Sequence, residues 1–293
     1  AGNGGSISPN GNVSVVRGSD KVFTISANTG YRVSDVLVDG KSVGAVTTYT
    51  FNNVQAKHTI DVSFVKNADT NTAIGPAESG VDQWLRTGEH SAYMTGFGNG
   101  KFGPENSVTR AQIAQIFYRL LKDQNVDITV SFTDVSSDAW YAEAVNVLGS
   151  LGIVSGVGNG KFMPNRPITR AEFCAIATRF AKATSTVSNP FSDVSEKDWF
   201  YNAVATAASY GWVTGMSDGN FHPNAVINRA QAVTIINRML GAAADRAYVD
   251  SHVNNPYTDV STTFWGYYQI IEASISHNHS FDADGTEIWN SLK

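Results

Sequence analysis

The sequence predicts a multidomain chain: a small all-β module at the N-terminus, followed by a mainly α body of helix-loop-helix units. Three observations carry this. Up to Lys66 apolar and polar residues alternate in short segments, whereas from about Val81 apolar residues recur every three to four positions. One word is also written three times: "GNGKFGPENSVTRAQI" from Gly98, "GNGKFMPNRPITRAEF" from Gly158 and "SDGNFHPNAVINRAQA" from Ser217. Period two is the signature of a strand and period 3.6 that of an amphipathic helix, and a word repeated at this distance marks a stacked supersecondary unit.

In the β module (1–66) the strand-like segments are "NVSVV", "KVFTISA", "VSDVLVDGKSV", "TYTFNNV" and "HTIDVSFV". Asp39-Gly40 between valines is a hairpin signal, because a two-residue turn needs positive φ at both positions. Residues 67–80, "NADTNTAIGPAESG", mix small and turn-forming residues without apolar periodicity and are expected to be a linker.

The helical body (81–293) is expected to contain a half repeat at 81–123, full repeats at 131–183 and 190–241, and a closing half repeat at 256–293. A second word, Asp-Val followed by an aromatic pair, occurs in "FTDVSSDAWY", "FSDVSEKDWF" and "YTDVSTTFWG" and carries Trp140, Trp199 and Trp265. Trp140, Ala144, Val145, Leu148 and Leu151 follow helical spacing, as do Ile113, Ile116, Phe117, Leu120 and Leu121. In the loops between helices, Gly98, Gly100, Gly158, Gly160, Gly215 and Gly219 are read as left-handed turn positions. Phe102, Phe162 and Phe221 are read as anchors, and Pro104, Pro164 and Pro223 as rigid exits.

Thr169 with Glu172 forms a capping-box pattern, and Thr109 with Gln112 and Asn228 with Gln231 are variants of it. The arginines that follow, Arg110, Arg170 and Arg229, do not fit a capping account. A cation at the first helical position lies beside the positive end of the helix dipole. Each arginine therefore either bonds a carbonyl or carboxylate of its own repeat or faces an external anion that the helix end also attracts.

Composition bounds the function. The 293 residues are 42% hydrophobic and 16% charged, with a formal net charge of -5, which suits a soluble core and argues against nucleic-acid binding. No apolar run reaches the length of a membrane span. The start "AGNGG" carries no signal core, so the chain is expected to be a piece of something larger. Cys174, the single cysteine, lies in an apolar helical pattern and is expected in the core.

The combination of "F-x-D-V", "W-x-x-x-A-V", "G-x-F-x-P" and "I-T-R-A-E" resembles the S-layer homology repeats of bacterial surface proteins. That resemblance implies a pseudo-threefold body that holds its parent protein on an anionic, commonly pyruvylated, secondary cell-wall polysaccharide outside the cell. It also implies sugar sites in grooves between neighbouring repeats, without metal, cofactor or catalysis. By matching positions, the glycan-binding residues would be Thr109, Arg110, Thr169, Arg170, Asn228 and Arg229, with Asn99, Lys101, Asn159, Lys161, Asp218 and Asn220 from the loops; the tryptophans Trp140, Trp199 and Trp265 would shape the grooves. Only the repeat around Arg170 keeps the full motif, and Asp218 makes the third loop acidic, so the first two sites are expected to be the better ones. The β module, through "GGSISP", "GYRVSDVLVDG" and "HTIDVSF", is similar to divergent internalin-type B repeats, which implies a spacer.

The chain begins its repeats with a second half and ends them with a first half. The helix near Trp265 is therefore expected to pack beside the helix starting at Thr109 and close a ring. Other candidate sites carry less. "SFDADGTEIW", with Asp282, Asp284, Gly285 and Glu287, lacks the twelfth-position glutamate of an EF-hand and reads as a solvated turn. His277 and His279 have no third metal ligand at a suitable spacing and read as surface or packing residues. The aspartates of the Asp-Val words read as helix caps rather than as a glycosidase pair. Two alternative functions remain: a body that keeps the fold without binding sugar, and a wall-polysaccharide hydrolase.

Overall fold

The computed structural model describes residues 5–27, 31–44, 46–66, 73–182, 189–216, 218–282 and 285–293. The chain divides into two compact units, Ala1–Thr72 and Ala73–Lys293. Gly4, Ser217, Asp284 and residues 67–72, which figure in the sequence motifs and linker above, lie outside the described residues.

The first unit has strands β1 (Gly5–Ser8), β2 (Lys21–Ala27), β3 (Tyr31–Val38), β4 (Lys41–Ser42), β5 (Thr48–Phe51) and β6 (Ile60–Lys66). They form two antiparallel sheets, ordered β1-β2-β5 and β4-β3-β6, over a core of Ile7, Phe23, Ile25, Val33, Val36 and Val62. Asp39 and Gly40 both take positive φ, 50° and 77°, and pair Val38 with Lys41, as a tight hairpin turn requires. "NVSVV" is not a strand. Val13 packs on the core but the segment pairs with no named strand, and Val16 is exposed. Alternation alone cannot supply a ladder partner.

The second unit opens with a short helix, α1 (Pro76–Ser79), and a turn of 3-10 helix at Val81–Gln83. There follow α2 (Arg110–Leu120), α3 (Ala142–Ser150), α4 (Arg170–Ala177), α5 (Tyr201–Ser209), α6 (Arg229–Leu240), α7 (Arg246–His252) and α8 (Tyr267–Ser274). The chain ends in a hairpin of β7 (His277–Phe281) and β8 (Glu287–Leu292). Residues 73–80 belong to this body: the Ile74 N–H donates to the Tyr210 carbonyl, and Ser79 is buried.

Three pairs of helices pack together, α2 with α3, α4 with α5, and α6 with α8. The closing helix α8 thus lies against α6, not beside the helix starting at Thr109 as the order of half repeats suggested. The body is closed by other contacts. Asp259, before α8, accepts from the N–H groups of Phe102 and Gly103, and the Tyr93 N–H donates to the Ala273 carbonyl. The Asp-Val word at the end of the chain and the glycine-rich loop at its start meet as the corresponding words meet inside the full repeats.

At the centre the three segments that precede the arginine helices bind one another in a circuit. The Val108 N–H donates to the Ile227 carbonyl, Ile227 to Ile168, and Ile168 to Val108, at 3.1, 3.1 and 2.9 Å. All three side chains are fully buried. Each segment thereby satisfies backbone groups that a buried loop would otherwise leave unpaired. Cys174 is buried in this core, and burial pushes its thiol up to about 12, so it is a packing residue.

Candidate functional site

The arginine helices start in the same way three times. Thr109 Oγ1 accepts from the Gln112 N–H while Gln112 Oε1 accepts from the Thr109 N–H, and Thr169 with Glu172 and Asn228 with Gln231 form the same reciprocal box. The next two amides are satisfied from the neighbouring repeat. Arg110 and Ala111 donate to the carbonyls of Arg166 and Pro164, Arg170 and Ala171 to Ala225 and Pro223, and Arg229 and Ala230 to Asn106 and Pro104. All four N-terminal amides of each helix therefore have a protein partner, and none is left for an external anion.

The arginine side chains bond the protein, but in the neighbouring repeat rather than in their own as the sequence suggested. Arg110 donates through Nε to the Phe162 carbonyl at 2.8 Å and through Nη2 to the Ser155 carbonyl at 2.7 Å. Arg170 treats Phe221 and Thr214 likewise, and Arg229 treats Phe102 and Thr95 likewise. Each guanidinium lies over a buried phenylalanine ring, 4.5 Å from Phe162, 4.5 Å from Phe221 and 4.4 Å from Phe102. With only 5–6% of their surface exposed, the three arginines brace one repeat against the loop of the next.

Their charge is compensated unequally. Glu172 lies 3.5 Å from Arg110 and also pairs with Arg166, whereas Arg170 and Arg229 have no carboxylate at ion-pair distance among the described residues. Burial lowers the affinity of all three for their proton, which for a guanidinium still leaves it charged.

The aspartates of the second word are not helix caps. Asp134 accepts from the N–H groups of Phe162 and Met163, and Asp193 from those of Phe221 and His222, as Asp259 does at Phe102 and Gly103. The helices that follow have Tyr141, Phe200 and Gly266 at their N-cap positions, without a side-chain cap bond. Each aspartate instead clamps the loop that its own repeat unit contributes. Phe132, Phe191 and Tyr257, two residues earlier, pack tilted against the loop phenylalanines with ring centres 5.2–5.3 Å apart. Among the loop glycines, Gly100, Gly158, Gly160 and Gly219 take positive φ but Gly98 and Gly215 do not. Gly215 matches Gly96 and Gly156, where a Cβ would meet the carbonyl of Lys101 or Lys161 at 2.5–2.7 Å; these positions need glycine for close approach.

The tryptophans do not lie on the packed helix faces where their spacing put Trp140. Trp140, Trp199 and Trp265 stand just before α3, α5 and α8 and are 63%, 70% and 59% exposed. Their ring contacts are with Tyr141, Phe200 and Phe264 beside them in sequence. Asn99, Lys101, Asn159, Lys161 and Asp218 are exposed on the loops, and Asn220 and the caps Thr109, Thr169 and Asn228 are half-buried. Asp218 is held by His222 at 2.7 Å.

Comparison with known proteins places this geometry. Residues 90–114, 131–174 and 190–233 match the S-layer homology domain. The helical unit thus matches the S-layer homology domain at three places. The chain is 33% identical over 212 residues to a cellulosome-anchoring protein of Acetivibrio thermocellus, covering 69% of this chain and 46% of that protein. It is 30% identical over 206 residues to cell surface glycoprotein 1 of the same organism, covering 66% of this chain and 9% of that protein. It is 36% identical over 154 residues to an amylopullulanase of Thermoanaerobacterium thermosulfurigenes, half of this chain and 8% of that enzyme. The chain thus spans less than half the length of these relatives.

Proposed function

We propose that this chain is the wall-anchoring segment of a bacterial surface protein. Its helical unit, a pseudo-threefold body, holds an anionic secondary cell-wall polysaccharide, pyruvylated or otherwise acidic, in grooves between repeats. The observation that carries the proposal is the threefold recurrence of a large aromatic side chain left in solvent. The fold accounts for the buried phenylalanines, arginines and aspartates, but it gives Trp140, Trp199 and Trp265 nothing to bury, whereas a sugar ring stacks on such a face. Names such as cellulosome-anchoring protein and cell surface glycoprotein among the relatives support the location at the cell surface.

In this reading the groove residues divide in two. The arginines and the capping residues Thr109, Thr169 and Asn228 build the walls and supply positive potential from below, while the tryptophans, Asn99, Lys101, Asn159, Lys161, Asp218 and Asn220 meet the sugar. Arg170, without a paired carboxylate, marks the groove that best favours an acidic substituent; Glu172 neutralises the groove at Arg110, unlike the expectation that the first two sites are the better, and Glu105, which accepts from Asn228 Nδ2 at 2.8 Å, stands beside Arg229. The segment is not an enzyme: the aspartates a hydrolase would need are engaged by backbone amides. The β unit serves as an internalin-type spacer. Co-sedimentation with purified wall fragments tests the function. The chain sediments with intact walls and stays in solution once the secondary polymer has been stripped; retention on stripped walls would refute the reading.

A further inference from the structure

Beyond the grooves, we infer that His90, His277, His279 and Glu287 form a binding site for one divalent transition-metal ion of the zinc class, which ties the start of the helical unit to its C-terminal hairpin. His90 precedes the first glycine-rich loop, His277 and His279 lie on β7, and Glu287 opens β8. The four ligand atoms all lie within 4.8 Å of one another. Glu287 Oε1 is 2.7 Å from His90 Nδ1 and 2.9 Å from His277 Nε2, and those two nitrogens are 3.0 Å apart. Ligands around a tetrahedral ion at zinc-nitrogen distances are separated by about 3.3 Å, so the atoms of His90, His277 and Glu287 need to open by a few tenths of an ångström, while the widest separation in the set, up to 4.8 Å, has to close by about 1.5 Å, a side-chain movement within reach of the half-buried His279.

The surroundings are those of a built site. His277, His90 and Glu287 are buried, and His279 is half-buried beside them. His277 Nδ1 donates to the Ile275 carbonyl at 2.9 Å, which points Nε2 at the cluster; an ion would take the place of the proton that Nε2 shares with Glu287 Oε1 at 2.9 Å, with the Nδ1 bond as the usual support of a metal-bound imidazole. Trp289 stacks on the His277 ring at 3.6 Å and His279 on His90 at 3.7 Å, fixing both orientations. A second carboxylate, Glu272, reaches His90 Nδ1 at 3.2 Å, and its other oxygen, Oε2, is buried with no hydrogen-bond partner. Three imidazoles and two carboxylates sharing so small a volume call for a positive centre. Nitrogen-rich ligands favour zinc, nickel, cobalt or copper over calcium or magnesium.

Hydrogen bonds among the same side chains, without an ion, are the alternative that the titration distinguishes.

The test uses the full chain freed of metal by chelation, titrated with zinc and separately with cobalt(II), with metal content, the cobalt ligand-field spectrum and thermal unfolding recorded. One equivalent should bind, give the intense visible absorption of a four-coordinate cobalt site, and raise the unfolding temperature of the helical unit reversibly. His279→Ala, at a half-buried position, should weaken zinc at least about tenfold while the metal-free protein stays folded. Absence of stoichiometric binding to the wild-type chain, or binding unchanged in His279→Ala and in Glu287→Gln, would overturn the assignment.

Discussion

Arg229→Ala tests whether the arginine helices are braced from within. Arg229 bonds the carbonyls of Phe102 and Thr95 and lies over the rings of Phe102 and Phe97. Each bond from a charged donor contributes about 1.5–3 kcal/mol, and the stacking about 0.5–2 kcal/mol. The guanidinium's own desolvation offsets part of the sum, and truncation is expected to cost about 3–6 kcal/mol. That is a large share of the 5–15 kcal/mol typical of a folded domain, and for a body of this size it corresponds to a fall in unfolding temperature of roughly 6–24 °C. Circular dichroism of the helical transition reads the effect. Arg119→Ala, at an exposed position, is the control and should stay within about 0.5 kcal/mol of wild type. A shift no larger than the control's would mean that Arg229 is held by nothing within the protein, and the bracing account would be lost.

Asp134, Asp193 and Asp259 set the response to acid. Slight burial would raise them, but the amides of the loop phenylalanines and their successors hold all three below the usual aspartate range. A depressed carboxylate stabilises the fold above its unfolded pKa and loses that contribution as pH falls through the folded value, so the helical unit should lose stability below about pH 4. Asp193→Asn should flatten that dependence in acid titrations followed by tryptophan fluorescence; an unchanged slope would remove the clamp from the account. Thr169→Ala should cost about 1 kcal/mol in urea unfolding, the value of a lost N-cap, and Thr169→Ser much less. Gly156→Ala places a Cβ 2.7 Å from the Lys161 carbonyl and should destabilise by about 1–3 kcal/mol; a neutral result would mean that the loop relaxes freely.

Local physics was legible in the sequence, and contacts across the ring were not. The capping boxes at Thr109, Thr169 and Asn228 and the turn at Asp39-Gly40 are decided within four residues, and the sequence specifies them directly. The arginines showed only that they needed a partner, because the carbonyls they bond lie 44 to 134 positions away. Asp134 looked like a helix cap for the same reason: a carboxylate before a helix has a local use, and nothing nearby reveals that two amides 28 and 29 residues on claim it instead. Trp140 shares its spacing with the buried Val145 and Leu148, but it precedes the first helical residue, so the helical face does not extend to it. Beside His277 and His279, Glu287 lay in a segment that read as a solvated turn, and His90 is brought close only when the last hairpin meets the first half repeat. Alternation in "HNHSF" and "EIWNSL" was the signal that could have found that hairpin.

The central claim is that the exposed tryptophans of a rigid repeat body hold a wall polysaccharide. Its most direct test is calorimetric titration of the purified acidic secondary polymer into the intact chain and into a Trp140→Ala, Trp199→Ala, Trp265→Ala variant. The account predicts saturable binding by the wild type that the variant loses while its unfolding temperature is unchanged. Absence of binding by the wild type, or undiminished binding by the variant, would contradict it.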